Sequence, residues 1–156
     1  MKNLLLLVVT FMLFILIGAT NLKAQGSLGV VGKFYTKQEA NITFGKVKTS
    51  ISIKISDLTK ALESVKDYVL FTIKNNQVIV RDQKRNSIGY ENVKISKNEM
   101  LYIFSKSLVL QLLQNSTADA LNGGAVLVEL RDGVLSLTNG ETTLEMSMFC
   151  PPICPN

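Results

Sequence analysis

The stretch Val126–Phe149, VLVELRDGVLSLTNGETTLEMSMF, decides how the rest of the chain is read. Arg131-Asp132-Gly133-Val134 and Thr138-Asn139-Gly140-Glu141 each set a Gly-containing dipeptide between alternating apolar runs, the strongest short-range signal of a β-hairpin. With two-residue type I′ loops at both places, Leu130 falls opposite Leu135, Val128 opposite Leu137, and Leu135 opposite Leu144. Val126, Val128, Leu130, Leu135, Leu137, Leu144 and Met146 then share one face. Glu129, Ser136, Thr138, Thr143 and Glu145 take the other, which is expected to face water. A slip of one residue would turn every side chain of a strand over. Two separate turns that agree on one apolar face therefore predict a three-stranded antiparallel meander.

Upstream, Leu28–Thr36 predicts a first strand with an irregular start, and Lys37–Ala40 a polar connection. Within Ile42–Ile55, Val47, Thr49, Ile51, Ile53 and Ile55 alternate with Lys48, Ser50, Ser52 and Lys54, the period of a half-buried strand. The period then changes: Leu58, Ala61, Leu62 and Val65 are spaced i, i+3, i+4 and i+7, so Asp57–Lys66 is read as a short amphipathic helix capped by Ser56 or Asp57. A helix of that length is marginal alone in water and must dock on a sheet. Tyr68–Lys74 and Gln77–Asp82 flank Asn75-Asn76, residues that tolerate a left-handed turn, and form a hairpin with Phe71 opposite Val80 and Ile73 opposite Val78. The charged run Arg81–Arg85 is expected to be a solvated loop rather than a phosphate grip, and Ile88–Ile95 a returning strand.

Ser96-Lys97-Asn98-Glu99 is a capping box with Ile95 and Met100 at its hydrophobic staple, so a helix is predicted to begin at Lys97. The apolar residues from Met100 to Leu113 project around nearly the whole circumference. Either this helix is buried on most sides, or the stretch divides into strands near Ser105-Lys106-Ser107. The start signal and the scarcity of β-branched residues favour the helix. Asn115–Asn122 is a polar stretch, and Gly123-Gly124 ends it as a C-cap would. The expected fold class is α+β: an antiparallel, meander-rich β-sheet covered on one face by one short and one long helix.

The N-terminus carries an address. Lys2 precedes the apolar run Leu4–Ile17, and Ala24 offers a cleavage point, the pattern of a secretory signal peptide over residues 1–24. An uncleaved anchor is the alternative, because adding Gly18 to Thr20 brings the run near the lower limit for a spanning helix. The expected organisation is residues 1–24 as leader, 25–149 as one α+β domain and 150–156 as a Cys/Pro-rich tail. The location is extracytoplasmic, periplasmic or secreted, and the Lys/Asn/Ile-rich composition is of a bacterial kind. Loss of Lys2 and Lys23 with the leader turns 17 basic residues into 15 against 12 acidic ones, a net charge of +3. That is too mild to point to nucleic acid. The expected partner is another envelope or extracellular protein. Membrane contact is expected only through an uncleaved leader or the apolar segment Leu101–Leu113.

Histidine is absent, which excludes Ser-His-Asp and Cys-His catalysis and His-containing zinc sites. Ser105-Lys106-Ser107 and Ser96-Lys97 lack the Ser-x-x-Lys spacing. A glycosidase needs two carboxylates held across a cleft. In the derived register Glu129 faces Ser136 and Glu145 faces Val134, so the two acids are separated by a strand and a shift along it and are read as solvated surface charge. There is no Trp, no P-loop and no dinucleotide fingerprint, and Asp132 alone supplies no calcium site. No enzymatic activity, cofactor or metal is expected. Asn41-Ile42-Thr43 and Asn115-Ser116-Thr117 match the N-glycosylation pattern and are taken as chance matches for a bacterial chain. Cys150 and Cys154, with two prolines between them, are expected to form a disulfide that caps the tail. The alternative is thiol-disulfide chemistry at this pair, against which stand the spacing and the terminal position.

Overall fold

The computed structural model describes residues 28–89, 96, 98–114 and 124–150. The leader, the expected strand past Gly89, the polar stretch 115–122 and Cys154 lie outside the described residues. The fold is sheet-rich α+β with antiparallel strands, as expected, but the strands form two sheets rather than one. The five-stranded sheet holds β1 (Lys33–Thr36), β2 (Thr49–Lys54), β6 (Ala125–Leu130), β7 (Leu135–Asn139) and β8 (Thr142–Glu145) in the order β1-β8-β7-β6-β2. The four-stranded sheet holds β3 (Tyr68–Lys74), β4 (Gln77–Asp82), β5 (Leu101–Ser105) and β9 (Met148–Cys150) in the order β4-β3-β5-β9. Among the described residues are three helices: α1 (Lys37–Phe44), α2 (Ile55–Glu63) and α3 (Lys106–Gln114).

The meander forms the middle of the larger sheet. Leu130 pairs with Leu135 and Val128 with Leu137, as the alternation predicts. Of the two central turn residues only Gly133 has positive φ, so this turn is not type I′. The second turn is displaced. Its two loop residues are Gly140 and Glu141, with Gly140 at φ 60°, and Leu144 therefore pairs with Leu137 and not with Leu135. A displacement by two residues leaves every side chain on its expected face, yet it carries Glu145 level with Ser136. At Met146 the backbone turns to φ 63°, β8 ends, and this side chain is exposed instead of joining the apolar face. The chain then crosses to the other sheet, where Cys150 of β9 pairs with Leu101 of β5.

The second sheet exists because β3 and β5 are apolar on both faces. Val69, Phe71 and Phe104 point into a core shared with Val128, Leu137 and Leu144 of the larger sheet and with Leu58 and Leu62 of α2. Tyr68, Leu70, Leu101 and Ile103 point the other way, against Val31 and Cys150. This corrects the long helix expected from Lys97. The all-round apolar character of Met100–Leu113 comes from a strand buried on two faces followed by a helix with one stripe, Val109, Leu112 and Leu113. Only half of the Ser96 capping box forms: Ser96 N–H donates to Glu99 Oε2 at 3.2 Å, while Glu99 N–H donates to the Ser96 carbonyl at 3.2 Å. The division at Ser105 is held by Val31, whose N–H donates to Ser105 Oγ at 2.7 Å while its carbonyl accepts the Ser105 N–H at 2.9 Å.

The hairpin of β3 and β4 has its expected register, with Asn75 and Asn76 both at positive φ. Helix α2 starts two residues before its expected position and buries Leu58 and Leu62. The expected polar connection at Lys37–Ala40 is instead the start of α1. It begins at a capping box the sequence carries at Thr36 and Glu39: Glu39 N–H donates to Thr36 Oγ1 at 3.1 Å, and Thr36 N–H to Glu39 Oε2 at 2.8 Å.

Candidate functional site

The alternation of the meander was expected to leave Glu129, Ser136, Thr138, Thr143 and Glu145 in water. All five are buried, none more than 3% exposed, and α1, whose Ala40 is buried, is tied to this side of the sheet through Arg131. The displaced second turn has a further effect. Glu129 pairs with Ser136, and Glu145 lies level with Ser136 from the opposite side, so the two carboxylates expected to be apart flank one serine. Arg131, two residues beyond Glu129 and so on the same side of the strand, reaches between them. Its Nη2 is 2.9 Å from Glu129 Oε2 and its Nε is 3.1 Å from Glu145 Oε1. Arg131 was read from sequence only as a turn residue. The Glu-x-Arg spacing at a strand end was the available signal.

The guanidinium is almost fully engaged. Nη1 donates to Asn41 Oδ1 at 2.6 Å and to the Gly45 carbonyl at 2.7 Å, which ties the sheet to α1 and its end. The Asn41 side chain of the glycosylation-like triplet thus has a structural use. Nε donates to Ser136 Oγ at 3.2 Å. Glu129 is well satisfied, since Oε2 also accepts the Thr138 hydroxyl at 2.8 Å, and Thr138 in turn meets Thr143 at 3.1 Å. Glu145 is not. The Nε–H that lies near it is aimed at Ser136, so both its carboxylate oxygens are buried without a well-aligned hydrogen bond. Burial pushes the Glu145 carboxyl up to about 7, and the Glu129 charge adds to this, while Ser136 and Arg131 pull the other way. Two acids beside an arginine resemble a catalytic set, but all three side chains are buried from solvent.

An open concave feature lies elsewhere, where the edge strands β2 and β4 approach each other beside α2. A cleft of about 410 Å³ has apolar walls from Ile53, Leu58, Ala61, Val78, Val80 and Ile88, and exposed Asp57, Lys60 and Ser64 as polar lining. A recess of about 310 Å³ shares Ile53, Asp57 and Val78 with it and extends toward Asn76 and Gln77.

The remaining sequence candidates separate. Arg81 is buried, not solvated. Arg85 donates from Nη2 to the Ser96 and Glu99 carbonyls at 3.2 and 2.9 Å, and from Nη1 to Cys150 Sγ at 3.7 Å. The charged run therefore joins the β4 end to β9. Cys150 is fully buried, and its expected partner Cys154 is outside the described residues. Lys106 Nζ donates to the Val65 carbonyl at 2.7 Å, and Asp132 pairs with Lys48 at the surface. Within Leu101–Leu113, Leu101, Ile103, Phe104, Val109 and Leu112 are turned into the two cores. No helix among the described residues is long and apolar enough to cross a membrane. No known family model matches the chain, and comparisons with curated proteins and with solved structures gave no match.

Proposed function

We propose that this is a small exported protein that acts by binding rather than by catalysis, and that its binding element is the cleft between β2, α2 and β4. The observation that carries the reading is the pairing of a 410 Å³ apolar hollow, within the usual range of about 300–1,000 Å³ for small-molecule sites, with only a few polar groups around it. The sealing of the most reactive-looking carboxylates under α1 supports the same reading. The ligand is a compact amphiphile: an apolar body against Ile53, Val78 and Val80, with a polar end near Asp57 and Lys60. Export rests on the leader-like residues 1–24. The thiol-disulfide alternative has weaker support, because the fully buried Cys150 sulfur is out of reach of an incoming thiol or disulfide.

Anilinonaphthalene sulfonate, an apolar fluorophore with one anionic group, serves as a probe of the cleft. Protein recovered after expression of the full chain is expected to bind it saturably with one site. Ala61→Phe, which fills the hollow from α2, is expected to lower that affinity at least about tenfold while the circular dichroism spectrum stays unchanged. Non-saturable binding, or equal binding by a folded Ala61→Phe variant, would overturn the proposal.

A further inference from the structure

We propose that α1 is a pH-operated flap over the polar face of the five-stranded sheet, with Glu129, Arg131 and Glu145 as its latch. One guanidinium serves two carboxylates in a layer where all three side chains are 3% exposed or less. With both acids ionised the cluster holds one excess negative charge. Among the described residues no other cation lies within ion-pair distance of either acid.

The surrounding charges are engaged elsewhere. Lys33 of β1 is opposite Glu145 in register, but its ammonium lies 5.2 Å from the centroid of the Tyr35 ring. On α1, Glu39 is held at the N-terminal cap by Thr36, and Lys37 and Glu39 make no ion pair with the cluster. Asp132, beside Gly45, pairs with Lys48. From β7 come only Ser136 and Thr138, and from β8 Thr143 in addition to Glu145.

The helix itself is weakly held. Ala40 is its one buried residue; at its ends Lys37 N–H donates to the Glu141 carbonyl at 2.9 Å and Phe44 meets the Tyr35 ring, and its side-chain tether to the sheet interior is Arg131 Nη1, through Asn41 and the Gly45 carbonyl. The group short of countercharge and the group that ties down the flap are therefore joined through the same guanidinium. Short elements with few buried apolar contacts open at lower free energy than the core. When α1 is closed and Glu145 protonated, the cluster is neutral. Ionisation of Glu145 places an unbalanced charge in a dry layer, and lifting α1 relieves it by admitting water. Because the closed state holds the Glu145 proton above the carboxyl's ordinary range, closure is favoured at acid pH and weakens as pH rises through about 7.

Amide hydrogen exchange tests the flap on protein recovered after expression of the full chain, with intrinsic exchange chemistry divided out and α2 as internal reference. The opening constant of the α1 amides is expected to rise about threefold or more between about pH 6 and pH 8.5, with α2 changing less than half as much. Glu145→Gln is expected to abolish that rise. A smaller rise, parallel changes in α1 and α2, or an unchanged response in a folded Glu145→Gln variant would overturn the proposal. A carbon-detected titration of the wild-type Glu145 carboxyl needs no variant: a midpoint above about pH 5.5 is expected, and one at or below it overturns the latch.

Discussion

The two faces of the β6–β7–β8 meander arise from one alternating pattern and are equally buried, yet they depend on different physics. On one face Val126, Val128, Leu135, Leu137 and Leu144 meet the helices and the second sheet in an apolar core. Their stabilisation follows the area removed from water, is non-directional, and tolerates small shifts. On the other face Glu129, Ser136, Thr138, Thr143 and Glu145 lie under α1, where each polar atom costs free energy unless it finds a partner. Half of those partnerships pass through Arg131. Period-two alternation says which side chains travel together. It does not say whether the polar set will be left in water.

The comparison predicts unlike responses to single substitutions. Arg131→Met keeps much of the side-chain volume but leaves two buried carboxylates without their cation, and urea unfolding at neutral pH is expected to show a loss of about 3–5 kcal/mol. The loss should shrink toward acid pH, where Glu145 is protonated and its charge is gone. A loss below about 1 kcal/mol would mean that this face is wetter than its burial implies. Leu137→Ala, at the centre of the apolar face, is expected to lose about 3 kcal/mol by the same measurement, with no dependence on pH beyond that of the wild type. Equal pH dependence in the two variants would erase the distinction between the faces.

Much of this architecture can be read from sequence where pattern and turn chemistry act locally. The β3–β4 hairpin shows it: Asn75-Asn76 sets the turn, and Phe71 and Ile73 then have only one apolar face to share with Val80 and Val78. The β6–β7 pairing follows in the same way. Local reasoning fails where two conformations satisfy one composition. Leu101–Phe104 is apolar at successive positions, which suits a buried helix or a strand covered on both faces, and only the availability of β3 and β9 as neighbours decides for the strand. The same ambiguity governs the second hairpin, where Asn139-Gly140 and Gly140-Glu141 are both feasible loops. Choosing the latter moved Glu145 by two positions and created the cluster with Arg131. The apolar cleft was illegible because β2 and β4 belong to different sheets and no sequence periodicity relates them.

Helix α1 was overlooked because its apolar stripe is nearly absent, although its cap was written in Thr36 and Glu39. That cap yields the smallest effect and opposes the buried face in its pH dependence. Hydrogen bonds from the Thr36 N–H and hydroxyl hold the Glu39 carboxyl below its ordinary value of 4.5. A carboxylate with a lowered folded-state value stabilises above its unfolded value and loses that contribution as pH falls through the folded one. Glu145, raised, behaves in the reverse sense: its favourable contribution is complete below 4.5 and is lost as pH rises through about 7. Thr36→Ala is therefore expected to lower stability by about 1 kcal/mol at neutral pH and by less in acid, once Glu39 has taken up its proton. A cost unchanged between those conditions would show that the cap acts through the Thr36 hydroxyl alone. A diminishing one would leave α1 governed by two carboxylates with opposite responses, Glu39 at its own N-terminus and Glu145 on β8 of the sheet it packs against, so that α1 is held best between their two titrations.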